Sequence, residues 1–141
     1  MWIFIRQGFF SVVEDSQDPN RLVVRARVAA DLNALRADVP DLSRTTATPS
    51  RDYPYRAFCP REAFAGGIAK IAMEIDYRNF KSEVMRIHGP PREHLYEEVW
   101  AIMRQAETRL VGQHLAPRRP CALPAPQPAS TKRSPPRRAR R

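Results

Sequence analysis

At 141 residues and 43% apolar content the chain has the length of a single domain and enough apolar surface to close one core. Its formal charge of +9 is unevenly placed: residues 116–141 hold eight Lys or Arg and no acid, and taking these from the 24 leaves 16 basic against 15 acidic residues in positions 1–115, a net charge of +1. Polyanion binding argued from net charge is therefore an argument about the last 26 residues, and two cysteines, Cys59 and Cys121, are too few for a disulfide framework.

Trp2 to Ile5 and Phe9 to Val13 are β-prone runs separated by Arg6, Gln7 and Gly8, which predicts a tight hairpin. The turn-rich DSQDPN at 15–20 precedes a third strand over Leu22 to Val28, with Pro19 expected to stop any strand running through it. Here Leu22, Val24, Ala26 and Val28 alternate with Val23, Arg25 and Arg27, so one face packs and the other carries two arginines. Ala29 to Ala37 reads as a short helix blocked by Pro40. Leu42 to Thr48 and Tyr53 to Cys59 read as a second hairpin, whose alternation sets Tyr53, Tyr55 and Ala57 against Arg56 and Phe58.

Residues 60–87 are the expected organising element. Phe64, Ile68, Ile71 and Ile75 recur at offsets of four, three and four and predict one buried helical face. Gly66 and Gly67 inside that helix imply close approach of another backbone, with the sheet as the expected neighbour. Asp76 is expected to cap a second helix carrying Phe80, Val84 and Ile87. After the break HGPP at 88–91, Leu95, Val99, Ile102, Met103, Ala106 and Leu110 form a stripe on a long helix over Arg92 to His114, flanked by Tyr96 and Trp100. Strands followed by helices give an α+β fold: a small antiparallel sheet of about five strands with three to four helices on one face. The expected organisation is one α+β domain over 1–115 and a disordered, Pro- and Arg-rich basic tail over 116–141.

The combination MWIF, LVVRARV, DYPYRA and IDYRNFK resembles a family of small bacterial proteins with an N-terminal MWIF-like hairpin, an RAR strand, a DYxYRA strand and an I-D-Y-x-N-F-K segment. The similarity spans roughly residues 1–103 and falls on Arg25, Arg27, Asp52, Tyr53, Arg56, Asp76, Tyr77, Asn79, Phe80 and Lys81. It implies a shared fold and brings no established activity.

Three sets of residues are candidates for function. Arg25, Arg27 and Arg56 on a sheet face, and Arg137, Arg138, Arg140 and Arg141 in the tail, can contact nucleic acid or another anion. Asp76, Tyr77, Asn79 and Lys81 bring a carboxylate, a phenol, an amide and an amine into one short segment. Tyr96 and Trp100 are candidate interface anchors. His88, His94 and His114 match no metal-ligand spacing, no cofactor-binding or nucleophile motif is present, and no apolar run reaches the ~18 residues of a membrane span. A cytoplasmic, non-catalytic interaction protein is the expected class: the body binds a protein partner or itself, and the tail lends weak non-specific affinity for nucleic acid. The competing expectation is a small RNA-cleaving or toxin-like enzyme using Arg25, Arg27 and Arg56 with Asp76, Tyr77 or Lys81.

Overall fold

The structure, a computed structural model, describes residues 1–110. The expected domain end at 115, the tail and its four C-terminal arginines lie outside the described residues. The strands are β1 (Trp2–Ile5), β2 (Gly8–Asp15), β3 (Asp18–Ala26), β4 (Thr46–Ala47) and β5 (Tyr55–Pro60); the helices are α1 (Ala29–Leu35), α2 (Arg61–Met73), α3 (Phe80–His88) and α4 (Pro90–Leu110). The strands form one five-stranded sheet in the order β1-β2-β3-β5-β4, every pairing antiparallel. The fold is α+β. One compact unit is Met1–Ile102, and no helix of the described residues is long and apolar enough to cross a membrane.

Alternation along the strands separates the two sheet faces. Phe10, Val12, Leu22, Val24, Ala26, Ala57 and Cys59 point into the core, where Leu32 and Leu35 of α1, Val39, Leu42, and Phe64 and Ile71 of α2 meet them. The opposite face carries Ser11 opposite Arg25, and Arg25 opposite Arg56. β3 begins four residues earlier than its alternation suggests, at Asp18, and runs through Pro19 where a stop was expected. Pro19 lies ahead of the first β3–β5 partners, Arg21 and Pro60, so its missing N–H costs no bond to β5.

Three local expectations are corrected. Ile75 is exposed, because α2 stops at Met73 and Ile75 no longer continues its stripe. The close neighbour of Gly67 is the turn after α1 rather than the sheet: a Cβ there would overlap the Val39 side chain and sit 2.9 Å from the Asp38 carbonyl oxygen, whereas one on Gly66 would meet nothing. The cap of α3 is Asn79, whose side chain accepts from the Ser82 N–H at 3.1 Å; Asp76 lies outside the helix.

Gly67→Ala should destabilise by about 1–3 kcal/mol through overpacking, and Gly66→Ala should stabilise by up to ~1 kcal/mol through helix propensity; urea denaturation of the two variants checks both. A pH dependence follows from two buried carboxylates. Arg86 donates to Glu83 and outweighs the burial that would raise its pKa, and Arg21 with the Gln17 N–H together outweigh the larger single effect of burial on Asp15, so both acids lie below the usual carboxylate range. Groups with lowered folded-state values contribute stability that is complete above the ordinary range and lost as pH falls through the lowered values. Tm should hold level from neutral pH and decline below about pH 4, with a shallower acid decline in Glu83→Gln.

Candidate interaction site

The site begins at the turn between β1 and β2. Gly8 takes a φ of +151°, open to glycine, and the space a Cβ would need is filled by the Asp31 side chain. Asp31 stands in the first turn of α1, where a carboxylate also faces the positive end of the helix dipole. It is almost fully buried and spends its lone pairs on three donors: the Phe9 N–H at 3.3 Å and both terminal nitrogens of Arg92, each at 2.8 Å. This is the bidentate fork-to-carboxylate geometry that makes charge-assisted bonds strong. The hydrogen bonds from Arg92 to Asp31 push the guanidinium pKa further above its usual range, so Arg92 stays charged.

Arg92 also reaches the Tyr96 oxygen at 3.3 Å, and burial pushes that phenol up despite the arginine. The Tyr96 ring meets Phe4 edge-on at 5.2 Å and stacks on Phe80 at 6.0 Å, while Phe4 stacks on Phe9 at 4.4 Å and Trp2 sits edge-on to Phe9 at 5.7 Å. α4 thus docks on the outer face of the first hairpin by its Arg92–Tyr96 side. A cleft of about 400 Å³ remains between them, walled by Trp2, Phe4 and Phe9 on the sheet and by Leu95, Val99 and Ile102 on α4, with Asp31 and Arg92 among its polar groups. Its lining is overwhelmingly apolar, and of its two carboxylates, Asp31 and Glu98, the first is already committed.

Beside the cleft the arginines form a row. Tyr53 is expected opposite Arg56, but β5 starts at Tyr55, after Pro54, and the chain bends over 51–53, so the alternation never reaches Tyr53. Its ring instead lies under two guanidiniums, Arg25 at 5.1 Å and Arg27 at 4.8 Å. Arg27 pairs with Asp52 at 2.8 Å, and Arg25 donates to the Ser11 hydroxyl at 2.7 Å. Arg56 faces Arg25 across the β3–β5 pairing, and the Nε atoms of both are buried with no hydrogen-bond acceptor among the described residues.

The Asp76, Tyr77, Asn79 and Lys81 segment is dispersed rather than assembled. Asp76 is well exposed and 3.7 Å from Arg6; Tyr77 leans on Phe80; Asn79 caps α3; Lys81 bonds Glu97 at 3.1 Å and lies over the Trp100 ring. Tyr96 joins the cleft, whereas Trp100 is exposed beside Lys81. Among the described residues no three His, Cys, Asp or Glu side chains are grouped to hold a metal ion. Cys59 is buried, and burial together with Asp41 pushes its thiol pKa up, the opposite of an activated nucleophile. Sequence reasoning missed Asp31 and Arg92, and read Gly8 only as part of a hairpin turn. The only local signals were an acid in a helix first turn and a glycine after a β run, and nothing connects positions 61 residues apart.

No protein-family model matches the chain, no curated protein matches it, and no solved structure matches it.

Because Asp31 and Arg92 are both largely out of water, removing one leaves the other unpaired. Asp31→Asn and Arg92→Met should each cost about 3–5 kcal/mol in chemical denaturation, and Asp31→Leu combined with Arg92→Met should recover much of that loss.

Proposed function

We propose that this chain is a non-catalytic interaction protein that pairs with a second copy of itself through α4, with residues 116–141 adding salt-sensitive affinity for nucleic acid. The observation that carries the reading is the exposure of the α4 stripe: Leu95 is 59% exposed, Val99 37% and Ile102 64%, although they recur at helical offsets of four and three. A stripe of this kind, left exposed along the cleft where α4 meets the hairpin, is an unfilled half of a helix–helix contact. A two-fold partner fills it with the same surface. Charge favours the antiparallel arrangement: Glu98 and Arg109 are eleven residues apart in one helix, three turns, so an antiparallel pair brings the acid of one copy toward the base of the other.

The eight basic side chains of residues 116–141, with no acid among them, support the second half of the reading, since each phosphate contact releases counterions and steepens salt dependence. The RNA-cleaving alternative has less support, because Asp76, Tyr77 and Lys81 are engaged with three different partners and meet no nucleophile.

The full chain should sediment as a dimer at micromolar concentration, and Val99→Glu with Ile102→Glu should convert it to a monomer whose circular dichroism is unchanged. A wild-type chain that stays monomeric across the accessible concentration range contradicts the reading.

A further inference from the structure

The outer face of the sheet carries a feature that pairing through α4 does not use. Arg25 and Arg56 are direct cross-strand partners at the middle of the sheet, an arrangement in which like charges repel. The flanking arginines are neutralised: Arg21 bonds Asp15 at 2.6 Å and Arg27 bonds Asp52 at 2.8 Å. For Arg25 the one hydrogen-bond acceptor among the described residues is the neutral Ser11 hydroxyl; Arg56 has none, and no carboxylate pairs with either. Two adjacent guanidiniums, both half-buried and lacking a counter-charge, are the complement of an anion whose oxygens both can fork onto.

The same row extends to an aromatic. Ser11 lies between Arg25 and Trp2, since it is the cross-strand partner of both, and Trp2 is 70% exposed. With strands about 4.8 Å apart, Trp2 stands roughly 10 Å from Arg25 and roughly 14 Å from Arg56 along the row. A dinucleotide spans that distance. A base with both faces free can stack on an exposed indole while its neighbouring phosphates reach the guanidiniums, whereas bases held inside a duplex cannot. The Tyr53 ring, buried under Arg25 and Arg27, holds these guanidiniums in place rather than offering a platform itself.

We infer that the outer face of the sheet holds a single-stranded nucleic acid, with phosphates at Arg25 and Arg56 and a base stacked on Trp2. The site is separate from the basic C-terminal residues and confers what they lack, a preference for unpaired bases.

The test is fluorescence anisotropy on the full chain with Arg137, Arg138, Arg140 and Arg141 all changed to Ala, using a labelled twelve-nucleotide oligouridylate and a duplex of equal length. The single strand should still bind and should be preferred to the duplex. Adding Arg25→Gln and Arg56→Gln should lower its affinity at least tenfold and reduce the salt slope by about 1.4, two contacts at ~0.7 each. Trp2→Ala, at a position 70% exposed, should cost about fivefold or more. Arg56→Gln should not lower Tm, because it removes an opposed charge; a fall in Tm would make Arg56 structural and overturn the assignment. Single-strand affinity unchanged by the arginine pair or by Trp2→Ala, or equal binding of duplex, would overturn it as well. So would displacement of the oligonucleotide by polyglutamate at equal charge concentration, which would make the face a site for acidic peptides.

Discussion

The clasp between Asp31 and Arg92 sets the geometry on which the rest of this molecule's surface depends. One carboxylate joins three parts of the chain: the start of β2 through the Phe9 N–H, α1 through its own backbone, and α4 through the guanidinium. Burying such a pair is costly unless the lone pairs and donors are matched, and here they are. Gly8 is the accommodation that makes it possible, since any side chain there would occupy the carboxylate's place. The consequence for α4 is directional. With Arg92 and Tyr96 turned toward the hairpin, Leu95, Val99 and Ile102 line the cleft beside it and stay partly in water.

The two sheet faces divide the work of the fold. One is closed by α1 and α2 over Val24, Ala26, Ala57 and Cys59 and supplies the apolar burial that holds the domain together. The other carries aromatics at the β1–β2 end and arginines across β3 and β5. Cation–π contacts of Arg25 and Arg27 with Tyr53, and of Arg21 with Phe58, hold three guanidinium groups in place on that face. Cys59 is on the core face, and its thiol is less ionised than a free one.

Features governed by local periodicity were legible in the sequence. The alternation in β3 placed Arg25 and Arg27 on the face away from Leu22 and Val24, and the helical offsets identified the α4 stripe, because both follow from the repeat of a single element. What periodicity cannot report is which partner an element meets. Gly67 was recognisable as a close approach, but Val39, which makes it, is 28 positions away; Tyr53 was misplaced because the strand begins after Pro54; and Asp76 lost the cap to Asn79, three residues on. The Asp31–Arg92 clasp left no usable trace, since each residue alone reads as ordinary helix-surface charge.

The most direct test of the clasp is amide hydrogen exchange on the full chain, comparing wild type with Asp31→Asn under conditions where β3 and β5 remain fully protected. Loss of protection at Phe9 and along residues 92–99 together, with the β3–β5 ladder unchanged, is the result this account requires. Protection of residues 92–99 that persists when the carboxylate is gone would contradict it, because α4 would then be held to the hairpin by something other than this pair.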